Sequence, residues 1–133
     1  MSITSGSRVA VLSLLFLSGC ATVPGDTSQL AGTRWIIESV NGYDLSARED
    51  FTISFTHSKF EARFGCRTSS GRYTVEGDYL RTAEVVTDGP SCAETPAEEL
   101  GPVILNSGMS LSWSGRGLML EKPPTFIFLR PTR

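Results

Sequence analysis

Beyond residue 30 the hydrophobic positions recur mostly every second residue. Phe51, Ile53 and Phe55 alternate with Thr52, Ser54 and Thr56, which predicts a strand with one face buried. His57, Ser58 and Lys59 supply a turn, and Phe60, Ala62 and Phe64 resume the inward parity. Carried on, that parity points Cys66 toward the core, with Glu61, Arg63 and Gly65 on the other face. Tyr73 and Val75 lead to a turn at Glu76, Gly77 and Asp78, and residues 80–86 form the return strand. Met109, Leu111 and Trp113 alternate with serines up to a turn over residues 114–117. Leu118 and Leu120 follow, Pro123-Pro124 ends that strand, and residues 126–129 form the last one.

One segment breaks the two-residue period. Thr95-Pro96-Ala97-Glu98 has the form of a capping box with proline at the first helical position. Leu100, Val103 and Ile104 then fall at helical spacing, while Pro102 removes one backbone bond, so the helix is short, kinked or late to begin. About eight short strands with one helix predict a mainly β fold, a small closed antiparallel barrel that hides its strand edges.

The first residues follow other rules. A polar lead with Arg8 precedes a nine-residue apolar run over residues 9–17. Crossing a bilayer as a helix takes about 20 apolar residues, so this run is a secretory leader and not a membrane span. Leu17-Ser18-Gly19-Cys20 is similar to the bacterial lipobox, in which cleavage before cysteine frees a thiol for lipid attachment. The expected organisation is therefore a lipoprotein signal over residues 1–19, lipidated Cys20 with a polar tether to residue 29, and one domain over residues 30–133. Two or three acyl chains at Cys20 hold a protein on a membrane durably, where one holds it only reversibly. By resemblance to Gram-negative lipoprotein sorting rules, Ala21 rather than Asp at the second mature position implies the outer membrane, with the domain expected to face the periplasm.

Composition narrows the choice of partners. The chain has 12 Lys+Arg against 14 Asp+Glu; Arg8 falls in the leader, so the mature part has 11 against 14, a formal charge of -3. Such a balance offers no basic field to nucleic acid. With Cys20 taken by lipid, Cys66 and Cys92 form an even pair in an oxidising compartment, and a bridge between them contributes about 3 to 4 kcal/mol on the loop-entropy model. Two buried free thiols are the alternative.

The residues also resemble a known family. Leu30-Ala31-Gly32-Thr33-Arg34-Trp35 followed by Val40-Asn41-Gly42 is similar to the opening of a META domain, the family of the heat-shock lipoprotein HslJ. Gly65-Cys66-Arg67, then Ser70-Gly71-Arg72-Tyr73, resembles its Gly-Cys-Asn segment. Thr87, Cys92 and the acidic Glu98 or Glu99 match the next block, and residues 118–120 and 126–130 match the closing hairpin. Two departures stand out: Arg67 replaces an Asn, and Asp88-Gly89-Pro90-Ser91 replaces a Met-Ala approach to the second cysteine. The resemblance implies a lipocalin-like barrel with a short helix, links to envelope stress, antibiotic tolerance and parasite virulence, and no established enzymatic activity.

The sequence offers little chemistry. His57 is the single histidine and lies in a turn, so a nucleophilic triad has nowhere else to form. Zinc would need His57, Cys66, Cys92 and a carboxylate, without the close-paired ligands of structural sites. Glu98 and Glu99 point about 100° apart on a helix and suit its N-terminal dipole better than proton sharing. Arg63, Arg67 and Arg72 form a possible surface contact, since arginine forks hold carboxylates or phosphates. Trp35 and Trp113 are expected in the core, because small barrels fill their interior. The expectation is a monomeric, cofactor-free, non-catalytic envelope module, anchored through Cys20 and contacting an unknown envelope protein or ligand. The alternatives are an inhibitor of lysozyme or another host enzyme, and a small-ligand carrier.

Overall fold

The computed structural model describes residues 29–90, 92 and 95–132; Cys20, the leader and most of the tether lie outside the described residues. Strand β1 (Thr33–Val40) turns into the two-residue strand β2 (Tyr43–Asp44) through Asn41 and Gly42, at φ 49° and 87°. A two-residue hairpin loop of type I′ needs positive φ at both centres, and Asn-Gly adopts it at least cost. Strands β3 (Phe51–Phe55), β4 (Lys59–Phe64), β5 (Arg67–Glu76) and β6 (Tyr79–Asp88) each pair with the one before, β3 lying against β1. Helix α1 (Ala97–Leu105) intervenes, and β7 (Met109–Ser114), β8 (Gly117–Lys122) and β9 (Thr125–Pro131) complete the meander. Strand β9 returns to β1, from Trp35↔Pro131 to Val40↔Ile127, and closes an eight-stranded antiparallel barrel from which β2 hangs as a short extension. The expected mainly β barrel with one short helix is the observed fold.

Alternation fills the barrel. Phe51, Ile53 and Phe55 from β3 and Phe60, Ala62 and Phe64 from β4 are buried, while Lys59, Glu61 and Arg63 stay exposed. The rings of Phe51 and Phe64 meet edge-on at 6.2 Å, and those of Phe55 and Tyr73 at 5.0 Å. Edge-to-face contact places the positive rim of one ring on the negative face of the other, adding about 0.5–1.5 kcal/mol per pair to the burial itself. Leu30 and Leu45, outside the strands, are also fully buried and complete the core.

The inward parity stops at Phe64. Gly65 takes φ 65°, and Cys66 forms the exposed corner of a tight turn from which Arg67 starts β5. The expectation of an inward Cys66 is corrected: the chain reverses one residue too early for it.

Helix α1 covers the barrel end that holds this turn. Ala97, Gly101, Ile104 and Leu105 face inward and Val103 faces water. Gly101 lies so near that a Cβ there would stand 2.2 Å from the Phe64 ring. The capping box is half-formed: the Glu98 carboxylate accepts from the Thr95 backbone N–H at 3.1 Å, whereas no side chain caps in return. Pro102 sits inside the helix without breaking it. Thr82 Oγ1 on β6 reaches the carbonyls of Leu105 (2.6 Å) and Ser107 (3.1 Å), sewing the helix exit to the wall. That link stands where the wall is thinnest, since β6 and β7 share only the pairs Tyr79↔Ser110 and Leu80↔Met109.

Candidate functional site

A hollow lies on the outer wall, across β3 to β6. It is a groove of about 540 Å³ lined by Ser54, Lys59, Glu61, Arg72, Glu84 and Val86, among others. Its shape follows from a bulge. Between the pairs Ser70↔Val86 and Arg72↔Ala83, β5 has only Gly71 while β6 has both Glu84 and Val85. The extra residue is accommodated by Glu84 in left-handed backbone at φ 54°. This conformation is uncommon for a non-glycine residue, and such residues gather at binding sites more than elsewhere. Gly71 is required opposite it, because a Cβ would lie 2.8 Å from the Ala83 carbonyl oxygen and 3.1 Å from the Phe60 ring.

Arg72 Nε faces Glu84 Oε2 across the groove at 3.2 Å, with both side chains largely in water. Exposed pairs of this kind contribute about 0–1 kcal/mol, so either partner exchanges readily for a ligand group. Val86, 55% exposed, adds an apolar floor beside these charges. The arrangement can hold a partner by ion pairing and one apolar contact.

A second feature is the barrel mouth opposite the helix. Trp35 is buried; its Nε1 donates to Thr33 Oγ1 at 2.8 Å, and that hydroxyl donates to the Leu30 carbonyl at 2.5 Å. Trp113 keeps the inward parity of Met109 and Leu111 but stands at the rim, 48% exposed, its ring 5.8 Å from that of Trp35. Core packing therefore holds for Trp35 and not for Trp113. Gln29 lines the same hollow as Trp113.

The three arginines are not brought together. Arg63 and Arg72 project from the outer wall, Arg63 Nε donating to the Gly65 carbonyl at 3.3 Å and Arg72 pairing with Glu84. Arg67 instead has inward parity and meets Glu99 of the helix at 3.4 Å. It also lies outside the left-handed region, which the preceding turn reserves for Gly65, so the Asn-to-Arg departure alters a side-chain contact and not the turn. Cys66 and Cys92 are joined by a disulfide, with Cα atoms 5.9 Å apart. His57 is exposed in its turn. Among the described residues, no three His, Cys, Asp or Glu side chains converge as metal ligands, and no helix is long and apolar enough to cross a membrane.

Pattern reading missed a charged cluster under the helix. Arg48 Nε and Nη2 donate to the two carboxylate oxygens of Asp50 at 2.9 and 2.6 Å, and Arg48 Nη1 donates to Glu98 Oε1 at 3.0 Å. The guanidinium also sits 4.8 Å above the Phe51 ring. The Arg48 hydrogen bonds hold the Asp50 carboxyl below its ordinary value, against the opposing pull of burial. Only the neighbours Arg48 and Asp50 were close enough in sequence to suggest part of it.

The META-domain family model matches residues 28–130. The chain belongs to the META-domain family. This META domain superposes on two solution NMR structures. One is 21% identical with a TM-score of 0.67, covering 78% of this chain and 92% of that one. The other, a protein from Burkholderia xenovorans, is 12% identical with a TM-score of 0.60, covering 99% of each chain. At these identities the likeness is one of fold. No curated protein matches the chain in sequence.

Proposed function

We propose that this META domain is a non-catalytic envelope module, anchored by acyl chains on Cys20 at the outer membrane and binding another envelope component on its outer wall. The observation that carries the reading is the groove over the Glu84 bulge, where a strained residue and exchangeable charges surround an exposed valine. The interior supports it too. Phe51, Phe55 and Phe64 are fully buried, so aromatic rings fill interior volume that a lipocalin-type carrier would leave to its ligand. The leader ending in Leu17-Ser18-Gly19-Cys20 supports the anchor.

The test places a photo-crosslinking residue at Val86 in the full chain in intact cells, with a second at exposed Val103 on the helix as control. A discrete adduct from position 86, absent from 103 and lost in Arg72→Ala and Glu84→Asn, is expected. Asn tolerates left-handed backbone, so the second variant removes the carboxylate and keeps the bulge. Equal labelling at both positions, or turnover of an envelope substrate by the purified domain, would overturn the reading. Cys20→Ala should leave the membrane fraction.

A further inference from the structure

We propose that the Trp113 mouth is the face of the barrel that meets the bilayer, with the indole seated among phospholipid headgroups. The inference rests on the anchor at Cys20 and adds the orientation that anchor imposes.

Three observations lead to it. Trp113 is the one tryptophan the fold leaves at a rim, half in water although its strand parity turns it inward. An indole combines a large apolar ring with an N–H donor, which suits the boundary between acyl chains and water. Next, the described chain begins at this end: Gln29 lines the hollow beside Trp113, and buried Leu30 receives the Thr33 hydroxyl in the hydrogen-bond chain that locks Trp35. Gln29 follows Cys20 by nine residues. Nine residues reach at most about 30 Å when extended, and roughly 16 Å as a flexible coil. A lipid on Cys20 thus holds the Trp113 rim within a short reach of the headgroups. Finally, the far end is taken up by the helix, with the ion pairs of Arg48, Asp50, Glu98 and Glu99 gathered there. Both ends carry charge, but among the described residues only the Trp113 rim sets an exposed tryptophan beside it.

The experiment uses the lipidated full chain in vesicles of phosphatidylethanolamine and phosphatidylglycerol. In the Trp35→Phe variant Trp113 is the sole indole emitter, and phospholipids brominated on the acyl chains are expected to remove most of its emission. In Trp113→Phe the remaining Trp35 should keep its emission. Should Trp35→Phe fail to fold, the difference between the unaltered chain and Trp113→Phe isolates the same signal. Full Trp113 emission in protein that floats with the vesicles would overturn the orientation and leave the anchor standing. Protein that does not float would overturn both. A soluble Cys20→Ser chain is expected to have its Trp113 emission quenched by aqueous acrylamide. Protection there would mean that the tether covers the ring, and the bilayer would be excluded as its occupant.

Discussion

Arg48 reaches across fifty residues of chain to donate to Glu98 at 3.0 Å, joining the loop before β3 to the first turn of the helix. The carboxylate is buried, and its second oxygen accepts from the Thr95 N–H. One side chain thus caps the helix, neutralises a cation and packs beneath Gly65, whose added Cβ would stand 3.0 Å from Glu98 Cγ.

Glu98→Ala removes all three contacts, the ion pair to Arg48 among them. The expected cost is about 2–3 kcal/mol, the range for charged hydrogen bonds whose partner is partly open to water. Urea denaturation would measure it, and Glu98→Gln should recover part of the loss by keeping the volume and an acceptor. A Glu98→Ala midpoint equal to that of the parent would mean the network does not hold the helix.

Asp50 contributes to the acid limb of stability. Its folded-state carboxyl lies below the ordinary value of 3.8 because Arg48 hydrogen-bonds the charged form. The stabilisation is therefore complete above the unfolded-state value and fades as pH falls through the folded one. Denaturation midpoints are expected to drop below about pH 4, with a shallower drop in Asp50→Asn. Parallel profiles for the two proteins would count against this.

The disulfide restrains a segment 26 residues long and lies near the helix, with both cysteines exposed to reductant. Cys66→Ser with Cys92→Ser should lose about 3 kcal/mol, since the bridge limits the unfolded chain. Calorimetry with and without reductant should reproduce most of that loss in the parent protein. Insensitivity to both treatments would show that the bridge adds no constraint.

Gly101→Ala tests the seat of the helix. The new methyl would press on the buried Phe64 ring, and the helix or the ring must move. Overpacking of this kind costs about 1–3 kcal/mol. Val103→Ala, on the exposed side of the same helix, should change stability by about 0.5 kcal/mol or less. A reversed order would mean that the helix does not rest on Phe64.

Parity made the walls legible. Phe51, Ile53 and Phe55, and again Met109 and Leu111, lie where a period of two puts them. It failed where the chain turns or ends. Gly65 reverses direction before Cys66, and nothing in a one-residue step distinguishes a strand from a turn until the backbone is seen at φ 65°. Trp113 has the right parity at the wrong height, since alternation tells inside from outside but not rim from middle. Composition alone places Arg67 on the surface, as arginine usually is, yet it meets the Glu99 carboxylate of the helix at the barrel end. The Arg48–Glu98 contact lies beyond any local pattern, because four strands, β3 to β6, separate the loop from the helix along the chain. The family resemblance, by contrast, was carried by short motifs in order, and order survives where packing is invisible.

The thin seam leaves one more consequence. From Arg81 to Asp88, β6 is paired with β5 and meets no second strand among the described residues. A straight run of that length would invite another polypeptide to dock along it. The kink at Glu84 turns the peptide groups out of line midway, so an incoming backbone would find its ladder interrupted. The irregularity that shapes the groove also acts as a guard against fibrillar stacking.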